Sequence, residues 1–191
     1  MLGYIQSPED KRDIIYKIPI SVAESYELNN VDRVVNQGQD PICAAISLST
    51  MINWQLGARK KGFDIPYRSV YELRDKGMEG MVPRNALKAL KKEGVSGYKI
   101  KSYSRVVDAE SAKAAILMNG PLMVCFMAYE GDRFWVPGGK ELGGHAVVLT
   151  GWDKRGFVLQ NSWGTEWGSG GKMTMPDSDW KYVLESWTIN I

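Results

Sequence analysis

Asn36-Gln37-Gly38-Gln39-Asp40-Pro41-Ile42-Cys43-Ala44-Ala45-Ile46-Ser47-Leu48 decides how the rest of the chain is read. Gln37, Gly38, Asp40 and Pro41 make a polar, turn-rich loop, and an apolar helical pattern starts at Cys43. A cysteine in the first turn of a helix sits at the positive end of the backbone dipole, where the thiolate is favoured and the thiol pKa falls. Gln37 lies on the loop that folds back beside that helix start. Its amide and the Cys43 backbone N–H can both donate to a developing oxyanion. The competing reading is a small apolar residue at a buried helix start, since free cysteine is among the most buried residue types.

A second cluster comes late. Gly143-Gly144-His145-Ala146-Val147-Val148-Leu149 reads as a strand, and Gly156-Phe157-Val158-Leu159-Gln160-Asn161 as the next. His145 is the only histidine of the 191 residues, so cysteine–histidine chemistry has one base available. A hairpin turning between Asp153 and Gly156 sets the Asn161 amide beside the His145 ring, where it accepts from one ring N–H and fixes the tautomer. Trp163 follows and shields that bond from water.

These three pieces, in this order, resemble the papain-like cysteine peptidases: a Gln-Gly loop before a nucleophilic cysteine, a Gly-His-Ala-Val strand, and Asn161-Ser162-Trp163-Gly164-Thr165-Glu166-Trp167-Gly168. The opening Leu2-Gly3-Tyr4-Ile5, with Pro8, Asp10, Arg12 and Asp13, is similar to the start of compact bacterial and phage members. The resemblance implies an α+β fold, with a helical N-terminal half and an antiparallel, β-barrel-like C-terminal half enclosing a cleft. It also implies a catalytic set of Cys43, His145, Asn161 and Gln37. By alignment it puts Gly80 and Met81 where the family offers backbone groups to an extended substrate, and Gly144 and Ala146 beside the catalytic histidine. Small residues there predict room for a sizeable apolar substrate side chain. The chain departs from the family at Asp40-Pro41-Ile42-Cys43-Ala44, where an upstream disulfide cysteine and a tryptophan are usual. His145 and Asn161 also follow Cys43 more closely than the roughly 130–150 positions usual there.

Three segments follow: residues 1–30 as an N-terminal strap or a remnant pro-segment in the cleft, 31–95 as a helical unit, and 96–191 as a β unit. Helices are predicted from Cys43 to about Arg59 with Gly57 and Gly62 marking the end, from Pro66, from Pro83 to a Gly94 cap, and from an Asp108 cap. Period-two patterning starts near Tyr98, and the later strands are expected to curl into a barrel.

Composition narrows the function. With 44% hydrophobic and 24% charged residues the chain is of ordinary globular type. A net charge of +2 gives no electrostatic case for nucleic acid or a membrane surface. Lys88, Lys91 and Lys92 read as one solvated helix face. A single histidine with scattered carboxylates gives no metal cluster, and there is no glycine-rich phosphate loop. No metal and no cofactor is therefore expected. Of the two cysteines, Cys125 sits between Val124 and Phe126 as packing, and no disulfide is expected. A cytoplasmic monomer follows, with protein or peptide as substrate, export by another route or a phage origin staying open. Two further readings keep the same residues: a deamidase or acyltransferase on this fold, and a non-catalytic protein-binding module.

Overall fold

A computed structural model describes residues 2–31, 33–57 and 64–191. The chain begins with an extended segment and a short strand β1 (Tyr26–Glu27), followed by helices α1 (Cys43–Gly57), α2 (Tyr67–Tyr71) and α3 (Pro83–Lys92). Then come β2 (Ser102–Arg105), α4 (Ala109–Asn119), β3 (Leu122–Tyr129), β4 (Glu141–Asp153), β5 (Gly156–Gln160), β6 (Lys172–Met175) and β7 (Glu185–Asn190). A 3₁₀ turn, Asp177–Tyr182, precedes β7.

Local chemistry sets these elements. Pro66 precedes α2 and Pro83 opens α3, where a missing N–H costs nothing. The α3 chain turns off at Gly94, whose φ of +83° suits glycine. Asp108 caps α4 by accepting from Ser111 N at 2.7 Å. α1 is buried along nearly its whole length, serines and Asn53 included, so its sequence shows no polar face. The helix end expected at Arg59 and Gly62 lies outside the described residues.

The strands form one antiparallel sheet in the order β2-β7-β3-β4-β5-β6, with β1 added to β4. β3 and β4 are its centre, and alternate β3 residues serve opposite cores. Met123 and Cys125 face α1 and α3, while Leu122, Val124 and Phe126 join the core that includes α4 residues Ala112, Ala115 and Ile116. A strand buried on both faces reads as a continuous apolar run.

The expected barrel does not form; the sheet is open. The free side of β2 is taken up by the N-terminal segment, where Arg105 N donates to Ile14 O at 2.8 Å and Tyr16 N to Arg105 O at 2.7 Å. That pairing covers an edge which barrel closure would otherwise satisfy. Among the described residues, no helix is long and apolar enough to cross a membrane.

Candidate active site

The loop before α1 tightens in two steps, Asp40 N donating to Gln37 O at 3.1 Å and Ile42 N to Asp40 O at 2.9 Å, with Gly38 at φ +56°. Cys43 is thereby the first residue of α1. The same loop is sewn to the one after β5. Gln37 N donates to Ser162 O at 2.8 Å, Ser162 Oγ donates to Gln37 Oε1 at 2.6 Å, and Gly164 N donates to Val35 O at 3.1 Å. Gln37 Nε2 spends one hydrogen on Asp40 O at 2.9 Å and keeps its second for another acceptor.

The hairpin turns where the sequence predicts, with Asp153 opposite Gly156. His145 Nε2 lies 2.7 Å from Asn161 Oδ1. The same oxygen accepts from Ser162 N at 2.8 Å, which fixes the amide's orientation. The ring must therefore carry its proton on Nε2, leaving the Nδ1 lone pair free. Nδ1 is buried and has no hydrogen-bond partner among the described residues. Trp163 stacks on the ring at 4.7 Å and 19°, and Phe134 meets it edge-on at 5.5 Å. Trp135, by contrast, packs away from the site and donates to Asp179 Oδ2 at 2.8 Å.

The sulfur lies against the strand bearing the ring. Burial raises the Cys43 pKa; the N–H groups of Ala146, Gly3, Ala44 and Cys43 itself act in the opposite sense but lose. The lowered thiol pKa expected from the helix dipole is thus overturned in this closed arrangement, because desolvation of the thiolate outweighs the backbone N–H groups around it. Burial likewise lowers the His145 pKa to about 4, against the raising effect of the Asn161 bond. Both groups are fully buried, and at neutral pH the pair is thiol and neutral imidazole.

What covers them is the N-terminal segment. Met81 N donates to Gly3 O at 2.7 Å, Ile5 N to Met81 O at 3.0 Å, and Tyr4 N to Gly144 O at 3.1 Å. Gly80 leaves the space a Cβ would take, 2.9 Å from Gly3 O. Gly144 does the same for Tyr4, whose carbonyl oxygen would sit 2.3 Å from a Cβ there. Gly80, Met81 and Gly144 therefore pack against residues 3–5, and the Ala146 N–H faces the Cys43 sulfur. An amide N–H of Gly3 faces the sulfur.

The segment is anchored further along. Ser7 N donates to Glu185 Oε1 at 3.0 Å, and Arg84 binds Pro8 O and pairs with Asp13, both side chains buried. Sequence reasoning missed Gly3, Tyr4, Arg84 and Glu185. The available signal was a carboxylate opening the apolar strand Glu185-Ser186-Trp187-Thr188-Ile189.

Residues 50–186 match the family model described as papain family cysteine protease. The chain belongs to the papain family of cysteine proteases. The matched stretch contains His145 and Asn161 and begins beyond Cys43. Among relatives, a gut-specific cysteine proteinase of Caenorhabditis elegans is 33% identical over 103 residues, 49% of this chain and 30% of that protein. A cathepsin B-like cysteine proteinase 6 of the same organism is 35% identical over 88 residues, 41% of this chain and 22% of that one. The chain thus spans less than a third of the length of either. Xylellain, a cysteine protease from Xylella fastidiosa, superposes with a TM-score of 0.85 at 23% identity, covering 99% of this chain and 95% of that one. Procathepsin B S9 from Trypanosoma congolense gives 0.84 at 15% identity, covering 99% and 86%. These two likenesses establish the fold.

Proposed function

We propose that the chain is a cysteine-type peptidase that hydrolyses protein or peptide substrates, with its cleft closed by residues 3–5. One observation carries the reading. A trench whose walls offer the Met81 N–H and the Met81 and Gly144 carbonyls already holds extended polypeptide over a cysteine and an Asn-oriented histidine. A peptide substrate makes the same kind of bonds.

With the segment displaced, water reaches the ring and its basicity returns toward that of ordinary imidazole. Nδ1 then takes the Cys43 proton, and the thiolate attacks the scissile carbonyl carbon. Negative charge develops on the carbonyl oxygen, held by the Cys43 N–H and the free Gln37 Nε2 hydrogen. As the tetrahedral intermediate collapses, the C–N bond breaks, and His145 gives its proton to the departing amine. Water then attacks the thioester with His145 as base, releasing the acid and restoring the thiol. Asn161 keeps the ring's Nε2–H pointed away throughout.

Cleavage of a denatured protein by the full chain, lost in Cys43→Ala, tests this. Ammonia release without chain cleavage points instead to a deamidase, and failure of Cys43 to react with a peptidyl epoxide removes both enzyme readings.

A further inference from the structure

Between β3 and β4 the chain forms neither helix nor strand, yet this loop carries the side chain that meets His145 edge-on. Its base is closed by Glu130 N donating to Lys140 O at 2.9 Å, and it turns once inside, Val136 N donating to Arg133 O at 2.9 Å. Gly131, Gly138 and Gly139 give the backbone little stiffness of its own.

Asp179 fixes this loop from outside. It lies in the 3₁₀ turn before β7 and is only 4% exposed. Its Oδ2 accepts from Trp135 Nε1 at 2.8 Å and pairs with the Arg133 guanidinium. Among the described residues, the loop's side-chain hydrogen bonds to other elements both end on this oxygen. A buried carboxylate is costly without partners, and bonds to a charged acceptor are about twice as strong as neutral ones. The two donors are therefore firmly held.

Arg133 and Trp135 are the chain neighbours of Phe134. With both tied to one atom, the direction of the Phe134 ring is set. That ring is buried and rests on Trp135 at 5.1 Å. It meets His145 at 5.5 Å and 72°, and it meets Trp163, which stacks on the same imidazole, at 5.0 Å. The Asn161 bond holds the imidazole at Nε2 alone, and a single bond leaves a ring free to tilt about it. The face of Trp163 and the edge of Phe134 remove that freedom.

We propose that Asp179 is a positioning residue for the reaction: it holds Arg133 and Trp135, thereby seats Phe134, and so fixes the tilt at which His145 presents Nδ1 to the Cys43 proton. The reaction is that of the peptidase reading, on which this inference rests. A carboxylate that merely steadied the fold would leave the imidazole where it is.

His145 is the only histidine, so the full chain made with isotope-labelled histidine gives one set of imidazole signals by NMR. Their proton shifts report the ring currents of Phe134 and Trp163. The unsubstituted chain is compared with Asp179→Ala, Asp179→Asn, Phe134→Leu and the combination of Asp179→Ala with Phe134→Leu. Asp177→Asn is the control, since Asp177 opens the same turn but pairs with Lys113 on α4 instead. Asp179→Ala is expected to move the signals in the direction that Phe134→Leu moves them, and the combination to move them no further than Phe134→Leu alone. Asp179→Asn keeps an acceptor for Trp135 Nε1 and is expected to lie between. In peptide hydrolysis kcat should fall about tenfold in Asp179→Ala with KM within about twofold, and about threefold in Asp179→Asn.

Unmoved imidazole signals in a folded Asp179→Ala chain overturn the inference, whatever happens to its Tm. Equal displacement in Asp177→Asn overturns it too, as does a moved signal with unchanged kcat. Should Asp179→Ala fail to fold, Trp135→Phe keeps the ring and loses the N–H; unmoved signals there and in Asp179→Asn are then decisive against it. A chain whose signals respond as expected but which cleaves no peptide overturns the peptidase reading and keeps the placement of the imidazole by Asp179.

Discussion

Gly3→Ala should open the cleft. Gly3 approaches the loop before α1 so closely that a Cβ would lie 1.8 Å from Pro41 O, 2.0 Å from its carbonyl carbon and 2.7 Å from its Cα. All three are backbone atoms at the entry to α1 and cannot yield, so the segment must lift. Lifting breaks three main-chain hydrogen bonds, Met81 N to Gly3 O, Ile5 N to Met81 O and Tyr4 N to Gly144 O. At about 0.5–1.5 kcal/mol each these sum to about 1.5–4.5 kcal/mol. Re-exposing Tyr4 adds about 1.5–3 kcal/mol. Residues beyond Ser7 stay anchored through Glu185 and Arg84, so the lower part of the combined range applies, about 3–5 kcal/mol. That shift raises the open population by about two to three and a half orders of magnitude. The assay is the rate of Cys43 alkylation at neutral pH, with Gly57→Ala as control, since a Cβ at Gly57 meets nothing within 4 Å. An unchanged rate in a folded Gly3→Ala protein would refute the claim that this contact holds the cleft shut.

Three further outcomes follow from the same geometry. Asn161→Ala removes the acceptor that fixes the His145 tautomer and strands the Ser162 N–H; peptide hydrolysis should fall by about one to two orders of magnitude in kcat with a smaller change in KM. Asp13→Asn leaves Arg84 buried without its counter-charge, costing about 3–5 kcal/mol. Calorimetry should show a Tm lower by about 6–20 °C, and Arg84→Met with Asp13→Leu should recover part of it. The His145 pKa of about 4 lies below the roughly 6.5 of a solvated ring, so the open or unfolded chain binds more protons between these values. Stability of the closed form is therefore full above about pH 6.5 and falls as pH drops toward 4, by on the order of 3 kcal/mol. Thermal melts from pH 7 to 4 should show this slope, and His145→Gln should remove its share.

Much of this was legible because it is local. Pro83 and Gly94 bracket α3, Asp108 announces α4, and the Asp153–Gly156 turn pairs β4 with β5. A register shift between Leu149 and Gly151 intervenes, so the turn brings Asn161 to the end of β4 that carries His145 without by itself setting the contact. Other features depend on pairings far apart in sequence. Nothing near Tyr4 says that its ring will rest on Gly144, or that Ser7 will find Glu185. The direction of the Cys43 pKa goes the other way for the same reason: the helix start is a local fact, whereas the burial that raises the pKa depends on segments distant in sequence. Barrel closure failed as an expectation because it depends on the edges. The N-terminal segment occupies the flank of β2, and hydrophobic alternation carries no information about that.

The double stitching between Gln37 and Ser162, with Gly164 bound to Val35, has a mechanical meaning. The loop that leads into the nucleophile's helix and the loop that begins with the base's partner Asn161 share a floor, so the spacing between them is not set by a hinge. Access to this floor is by peeling a ribbon away rather than by parting two jaws. A tether across the floor should leave turnover intact, whereas one that pins the ribbon should abolish it.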